Sequence, residues 1–434
     1  MMSLMADDDL ATLGTGTETP QTTAHPGTGP LNPAPAPVPR WVGAVLTAGL
    51  VLAALNLRPA ITSLGALMEE VRDGLGMSGT VAGLLTSVPA LCFAVFGIAA
   101  PRLARRFGAA TIVCAGMAAI ALGVLVRPFA GGTAGFLAAS ALALAGIAVS
   151  NILLPVVIKT FFPDRVGSMT GLYSMALALG TSLAAALTVP VTGALGGGWQ
   201  AGLAIWAALG VLAVVPWFAV LKHRAPQAAP QEAGAPQEDA PAVRISRSPT
   251  AWALAVFFGL QATAAYVTMG WLPQIFRDAG VSAGTAGVLL ALVMAMGIPL
   301  SFLLPRLAAR MRHQGLLAVA LGACGLIGYA GLWLAPAAGA WGWALLLGIS
   351  NCAFPLALTM IGMRARSATG VVKLSAFAQC IGYLISVPGP LLVGTLYQHS
   401  GGWGLPIALM AGLMVPQIAV GVLAGRDRRV EDEG

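Results

Sequence analysis

The stretch Pro101-Arg102-Leu103-Ala104-Arg105-Arg106 returns 204 positions later, where Pro305, Arg306, Leu307 and Arg310 stand in the same order. At the same offset Gly76 matches Gly280, Ser78 matches Ser282, Gly83 matches Gly287, and Gly198-Trp199 matches Gly402-Trp403. A second shared pattern, Ser-Asn-x-x-x-Pro, joins Ser150, Asn151 and Pro155 to Ser350, Asn351 and Pro355. Apolar runs align easily by chance, so matches at Leu and Ala carry little weight. Matches at Arg, Asn, Pro and Trp mean that the chain is built from one unit used twice.

Each unit reads as membrane-embedded. The 434 residues are 57% hydrophobic and only 9% charged, with a mean hydropathy of +0.84, whereas soluble domains carry about 25% charged residues. No core that a chain of this length could form would hide that excess. Twelve apolar stretches have the ~20 residues that a spanning helix needs. They are 41–66, 80–100, 108–128, 134–158, 168–193 and 200–221, then 250–273, 284–304, 314–335, 340–362, 369–396 and 404–424. The runs are continuous rather than alternating, which selects helices over a β-barrel. The expectation is an all-α membrane protein of two pseudo-symmetric six-helix bundles. Residues 1–40 form a disordered tail, 41–221 the first bundle, 222–249 a polar linker, 250–424 the second bundle and 425–434 a charged tail.

Basic residues set the orientation. Of 23 Lys and Arg, 19 fall on one side of these spans, among them Arg102, Arg105, Arg106, Arg306 and Arg310. By the positive-inside rule that side, with both termini, is cytoplasmic. The opposite side holds Arg72, Arg127 and Arg277. The five Cys sit singly in apolar runs without metal-ligand or disulfide spacing, and no zinc-protease motif or clustered His or Asp suggests catalysis. The reading therefore includes no metal, cofactor, enzyme activity or nucleic-acid partner. The lipid bilayer is the evident partner, and the chain is taken as monomeric.

Every Asp, Glu and His falls in a tail, a loop or the end of a span, whereas Arg58 lies within span 1. A guanidinium in hydrocarbon costs at least ~2.5–3.5 kcal/mol, so it requires a cavity, a partner or an anion. Pro59 removes an N–H and is expected to kink the helix there. With no acid in any span, an anionic or strongly polar solute is the natural counterpart; the alternatives are outward snorkelling or capture by backbone carbonyls and Glu69 or Glu70. Polar residues elsewhere in the spans complete a candidate cavity: Asn56, Thr62, Asn151, Tyr173, Gln261, Tyr266, Asn351 and Gln379. Gln379 belongs to a stripe with Ser375, Gly382 and Ser386. Lys373, near the cytoplasmic end of span 11, is a second candidate cation. Interhelical hydrogen bonding is the bland alternative for each neutral residue.

Two parallel six-span repeats joined by a long loop resemble the major facilitator transporters. The stretch Gly97 to Arg106 resembles that superfamily's loop signature in its glycine and three basic positions, but has Pro101 where an Asp is usual and Ala104 where a second Gly is usual. That departure removes the acid of the usual charge latch. The run Asn56-Leu-Arg58-Pro59-Ala60, with Gly83-Leu-Leu-Thr-Ser-Val-Pro89, Ala100 to Gly108 and the Gly-Gly-Trp before span 6, is similar to the cyanate/nitroimidazole permease (CynX/NimT) family. The resemblance covers about 41–424. It implies a bacterial inner-membrane carrier of small, often anionic or nitrogen-containing solutes, with a site between the halves that rock about it. An exporter of neutral or lipophilic compounds is the alternative on the same fold; a transport-incompetent membrane sensor is a third.

Overall fold

The computed structural model describes residues 40–222 and 245–433; the tail before residue 40 and most of the linker lie outside them. Among the described residues there is no β-strand, and twelve helical segments are long and apolar enough to cross a bilayer. In order they are Gly43–Ala66, Gly79–Gly97, Ala109–Phe129, Thr133–Phe161, Pro163–Ala194 and Trp199–Leu221, then Pro249–Asp278, Ala283–Arg310, Gly315–Leu334, Ala340–Met363, Gly370–Ser400 and Gly404–Ala424. They are numbered spans 1 to 12. Apolar side chains such as Val211, Leu212, Val215 and Phe218 of span 6 point outward, exposed, and form part of the belt that lipid covers.

The repeat has a physical basis. Gly76 and Gly280 both take positive φ, 61° and 91°, a conformation that L side chains adopt reluctantly. Two residues on, Ser78 and Ser282 cap the next helix, their hydroxyls accepting from the N–H groups of Val81 and Thr285 at 3.3 Å. The same Gly-x-Ser turn thus reverses the chain after spans 1 and 7. Ser150 and Ser350 likewise lie against Gly116 of span 3 and Gly325 of span 9, so the shared Ser-Asn pattern holds one inter-span contact in both halves.

Several spans are interrupted. Span 1 stops helical winding at Leu57–Arg58 and restarts with Pro59 at its first position, as a proline that lacks an N–H and fixes φ favours. Spans 8, 10 and 11 break at Met296, Cys352 and Val387. Span 7 is continuous from Pro249 to Asp278 and is the most buried of the twelve. It runs against spans 1, 2, 8, 11 and 12, placing it on the seam between the halves.

The two ends of the seam differ. At the arginine-poor end, Arg277 of span 7 pairs with Glu69 at 2.8 Å and Glu70 at 2.9 Å, and Gln274 donates to Glu69 at 3.3 Å. Gln398 of span 11 accepts from the N–H of Thr80 at 3.0 Å. Arg72 lies over the Tyr397 ring, 5.6 Å from its centroid, and that ring stacks on Trp403 at 4.3 Å. Backbones also meet there, Gly79 against Gly394 and Gly65 against the Met269 carbonyl, leaving no room for a Cβ. Among the described residues, both ion pairs that join the halves lie at this end.

At the arginine-rich end Arg102, Arg105, Arg106, Arg306 and Arg310 are exposed and form no ion pair among the described residues. Arg105, Arg106 and Arg310 occupy last turns of helices, where cations complement the carbonyl end. Arg364 is buried instead, donating to the Ala424 carbonyl at 2.9 Å and to Gln314; burial lowers its pKa. The C-terminal residues fold back here. Arg366 pairs with Asp432 at 2.7 Å, and Glu433 accepts from Ser248 at 2.5 Å and from the Thr250 N–H and hydroxyl at 3.1 and 2.7 Å. The carboxylate therefore caps span 7.

Candidate functional site

The break in span 1 frees backbone around Arg58. Its carbonyl accepts from the N–H groups of Ile61 and Thr62 at 2.9 and 3.1 Å and from the Thr62 hydroxyl at 3.2 Å. The Arg58 side chain is half-buried and, among the described residues, has no carboxylate within ion-pair distance. Glu69 and Glu70 are committed to Arg277. Capture by those carboxylates therefore does not account for it.

The neighbours of Arg58 are phenols. The guanidinium is close enough to Tyr173, Tyr266 and Tyr383 to act on each electrostatically. These tyrosines come from spans 5, 7 and 11, so the cation of one half is faced by its own half and by two spans of the other. Tyr173 donates to Asn151 Oδ1 in span 4, which fixes its ring. Tyr383 stacks on Phe93 at 4.9 Å and meets Phe258 edge-on at 5.1 Å; Phe258 leans on Phe354 at 5.8 Å. The result is a half-buried cation with three buried phenols in its electrostatic surroundings, one of which, Tyr383, belongs to an aromatic wall. Such a site can bind an anion by charge and hydrogen bonding, and a flat ring by stacking.

Of the sequence candidates, Arg58, Asn151, Tyr173 and Tyr266 come together here. Gln261 and Asn351 meet each other on spans 7 and 10: the Gln261 amide donates to the Asn351 carbonyl at 3.5 Å, and the side-chain oxygens of both are buried without partners. Gln379 donates to Ser375 at 2.7 Å. Asn56 and Thr62 turn into the first half. Both are buried, Asn56 with its amide on the Met117 sulfur at 3.7 Å. Lys373 is exposed. Tyr383 is absent from the sequence candidates, although it lies four residues after Gln379 and eight after Ser375, on the face of that stripe. A further signal was available, since the chain has only five tyrosines and four of them, Tyr173, Tyr266, Tyr329 and Tyr383, are buried.

Arg127 adds a second buried cation. The sequence puts it on the arginine-poor side, at the end of the third apolar stretch, and the chain folds it inward there to 2% exposure. It donates to the Ala60 carbonyl at 2.8 Å and to Ser63 at 3.4 Å, just beyond the break that positions Arg58.

Comparison with known proteins shows the family and the fold. The family model described as Major Facilitator Superfamily matches residues 46–387. The chain is 35% identical over 389 residues to the "Uncharacterized transporter YycB" of Bacillus subtilis (strain 168), covering 89% of this chain and 94% of that one. It is 34% identical to the "2-nitroimidazole transporter" of Escherichia coli (strain K12), covering 89% and 96%. It is 32% identical to the "Cyanate transport protein CynX" of the same organism, covering 84% and 94%. In fold it is similar to the solved nucleoside transporter NupG (D323A mutant), with a TM-score of 0.72, 11% identity and coverage of 87% and 99%. The chain is a multi-pass membrane transporter and not an enzyme, and it belongs to the major facilitator superfamily, alongside the cyanate and nitroimidazole transporters.

Proposed function

We propose that this transporter moves a small anionic or polar nitrogen-containing solute, cyanate-like in size, by alternating access about Arg58. The carrying observation is a half-buried arginine at a helix break that lacks any carboxylate partner among the described residues, with three buried tyrosines from both halves in its electrostatic surroundings. An arginine so placed is attracted to a negative or strongly dipolar guest, and a guest that touches both halves can bias their movement. Two relatives carry names for solutes of this kind. The arginine-rich end is the cytoplasmic one, with both termini there, in a bacterial inner membrane. The seam ties at Arg277 then close the outer side, and the carrier works as a monomer.

Uptake of labelled cyanate into proteoliposomes tests this directly. Wild-type protein is expected to transport, and Arg58→Gln to lose transport while keeping its expression and melting temperature. Wild-type rates in the variant would overturn the proposal. The aromatic wall of Phe93, Tyr383, Phe258 and Phe354 favours one alternative, export of neutral planar compounds. In that case 2-nitroimidazole efflux would persist in Arg58→Gln and fall in Phe93→Leu.

A further inference from the structure

Arg127 has a use beyond filling space. It stands in the short turn Arg127–Phe129 that follows the helix of span 3, buried to 2% exposure. Its two terminal nitrogens are taken by neutral groups, the Ala60 carbonyl and the Ser63 hydroxyl, and its guanidinium carbon lies 5.8 Å from the centroid of the Phe136 ring. No carboxylate is within ion-pair distance among the described residues, so its charge is solvated but not neutralised. Its Nε–H is buried with no acceptor. One helical turn beyond Phe136 on span 4, Ser140 is 1% exposed and its hydroxyl has no partner. Both residues line one small cleft, partly open to its surroundings, which Thr86 and Tyr266 also border.

A cleft with an unneutralised cation and two unused donors is the complement of an anion. Its remaining wall is apolar, with Ile61, Leu64, Leu85 and Leu144, which penalises a strongly hydrated guest more than a weakly hydrated one. Tyr266 belongs to this cleft and to the surroundings of Arg58, so the two cations share a neighbour. Arg127 contacts Ala60, two residues and ~3 Å of helix rise beyond Arg58. We propose that Arg127 and Ser140 form a second binding station for a weakly hydrated monovalent anion, beside the Arg58 site on its arginine-poor side, with Tyr266 between the two. The inference rests on the anion reading of Arg58. It adds that the route holds two anions, one per cation, so that an arriving ion can displace its predecessor.

The test is equilibrium binding of thiocyanate, a weakly hydrated monovalent anion, to the full-length protein in detergent, with sulfate as the strongly hydrated control. Wild type is expected to bind two thiocyanate ions and no sulfate, and Arg58→Gln to bind one. Ser140→Ala removes one donor and leaves the Arg127 contacts to Ala60 and Ser63 in place. It is expected to weaken one of the two steps by about tenfold, as loss of a hydrogen bond to a charged group does, without a change in melting temperature. Arg127→Gln is expected to abolish that step even if it also lowers the melting temperature. Two steps untouched by Ser140→Ala, or sulfate binding at the same stoichiometry, would overturn the station. A single step in wild type, lost in Arg58→Gln and unchanged in Ser140→Ala, would overturn it while the anion reading of Arg58 stands. No thiocyanate binding at all would sink both.

Discussion

Spans 1 and 7 start from the same template, are followed by the same Gly-x-Ser turn, and meet across the seam, yet they are built for different work. Span 1 breaks at Leu57–Arg58 and carries a cation there. At the repeat offset Leu57, Arg58 and Pro59 correspond to Gln261, Ala262 and Thr263 of span 7, where the Thr263 hydroxyl bonds back to the Gly259 carbonyl at 3.0 Å and the helix runs on unbroken. The wider halves follow suit. Away from Arg277, the first buries Arg127 and holds Arg58, whereas the second offers neutral groups, Gln261, Tyr266, Asn351 and Tyr383. Under the proposed function, a guest held by charge would stay with the first half.

That contrast can be attacked where the halves touch. The largest effect is expected at Gly65, whose Cβ would strike the Met269 carbonyl of span 7. Gly65→Ala should cost about 1–3 kcal/mol in the closed seam, as overpacking does. Accessibility of single cysteines placed at the arginine-poor end should rise; an unchanged pattern would mean that the two spans do not need this approach. A smaller change is expected for Arg277→Gln. Its partners Glu69 and Glu70 are partly exposed, and such pairs contribute about 0.2–1 kcal/mol. The balance of open and closed forms should therefore move no more than about fivefold, read by the same cysteine accessibility. No movement in Arg277→Gln would assign closure to the aromatic and glycine contacts alone.

The smallest effect concerns the C-terminal fold-back. Burial works to raise the Glu433 pKa, but hydrogen bonds from Ser248 and Thr250, with the nearby Arg428 charge, outweigh it and lower the value. A carboxyl with a depressed folded-state pKa adds stability that is present above its unfolded pKa and is lost as pH falls through the folded one. Wild type should thus melt above Glu433→Gln at neutral pH, and that advantage should shrink as the pH falls below the ordinary carboxylate range. Parallel acid profiles in the two proteins would remove the cap from the account.

Much of this was legible in the sequence because the bilayer imposes it. Run length alone located twelve spans close to their observed limits, and the repeated Arg, Pro and Ser positions identified the doubled unit. Arg58 could be found because a cation in an apolar run is costly wherever it points. The breaks at Met296 and Cys352 each fall three residues before a proline, Pro299 and Pro355, which cannot donate to the carbonyls of Ala295 and Asn351; the sequence carried that signal without fixing how far each helix would yield. The burial of Arg127 was not legible: beside Pro128 at a span end it looks like any exposed arginine, and only the Ala60 carbonyl, Ser63 and Phe136, all brought by other segments, hold it inward. Thr62 and Asn56 lie near Arg58 in sequence, but one bonds to its own helix and the other faces span 3. Sequence distance does not say which way a helical side chain points once the helix is broken.

The central claim is that Arg58 is held open for a guest. Thermal stabilisation of the purified protein by small anions, with Arg58→Gln in parallel, tests it most directly. A ligand at 100 times its Kd adds roughly 2.7 kcal/mol to the folded state. The account predicts that cyanate or a similar small anion raises the melting temperature of wild type and leaves that of Arg58→Gln unchanged. Equal stabilisation of both proteins, or stabilisation by neutral compounds alone, would make Arg58 a structural residue and contradict it.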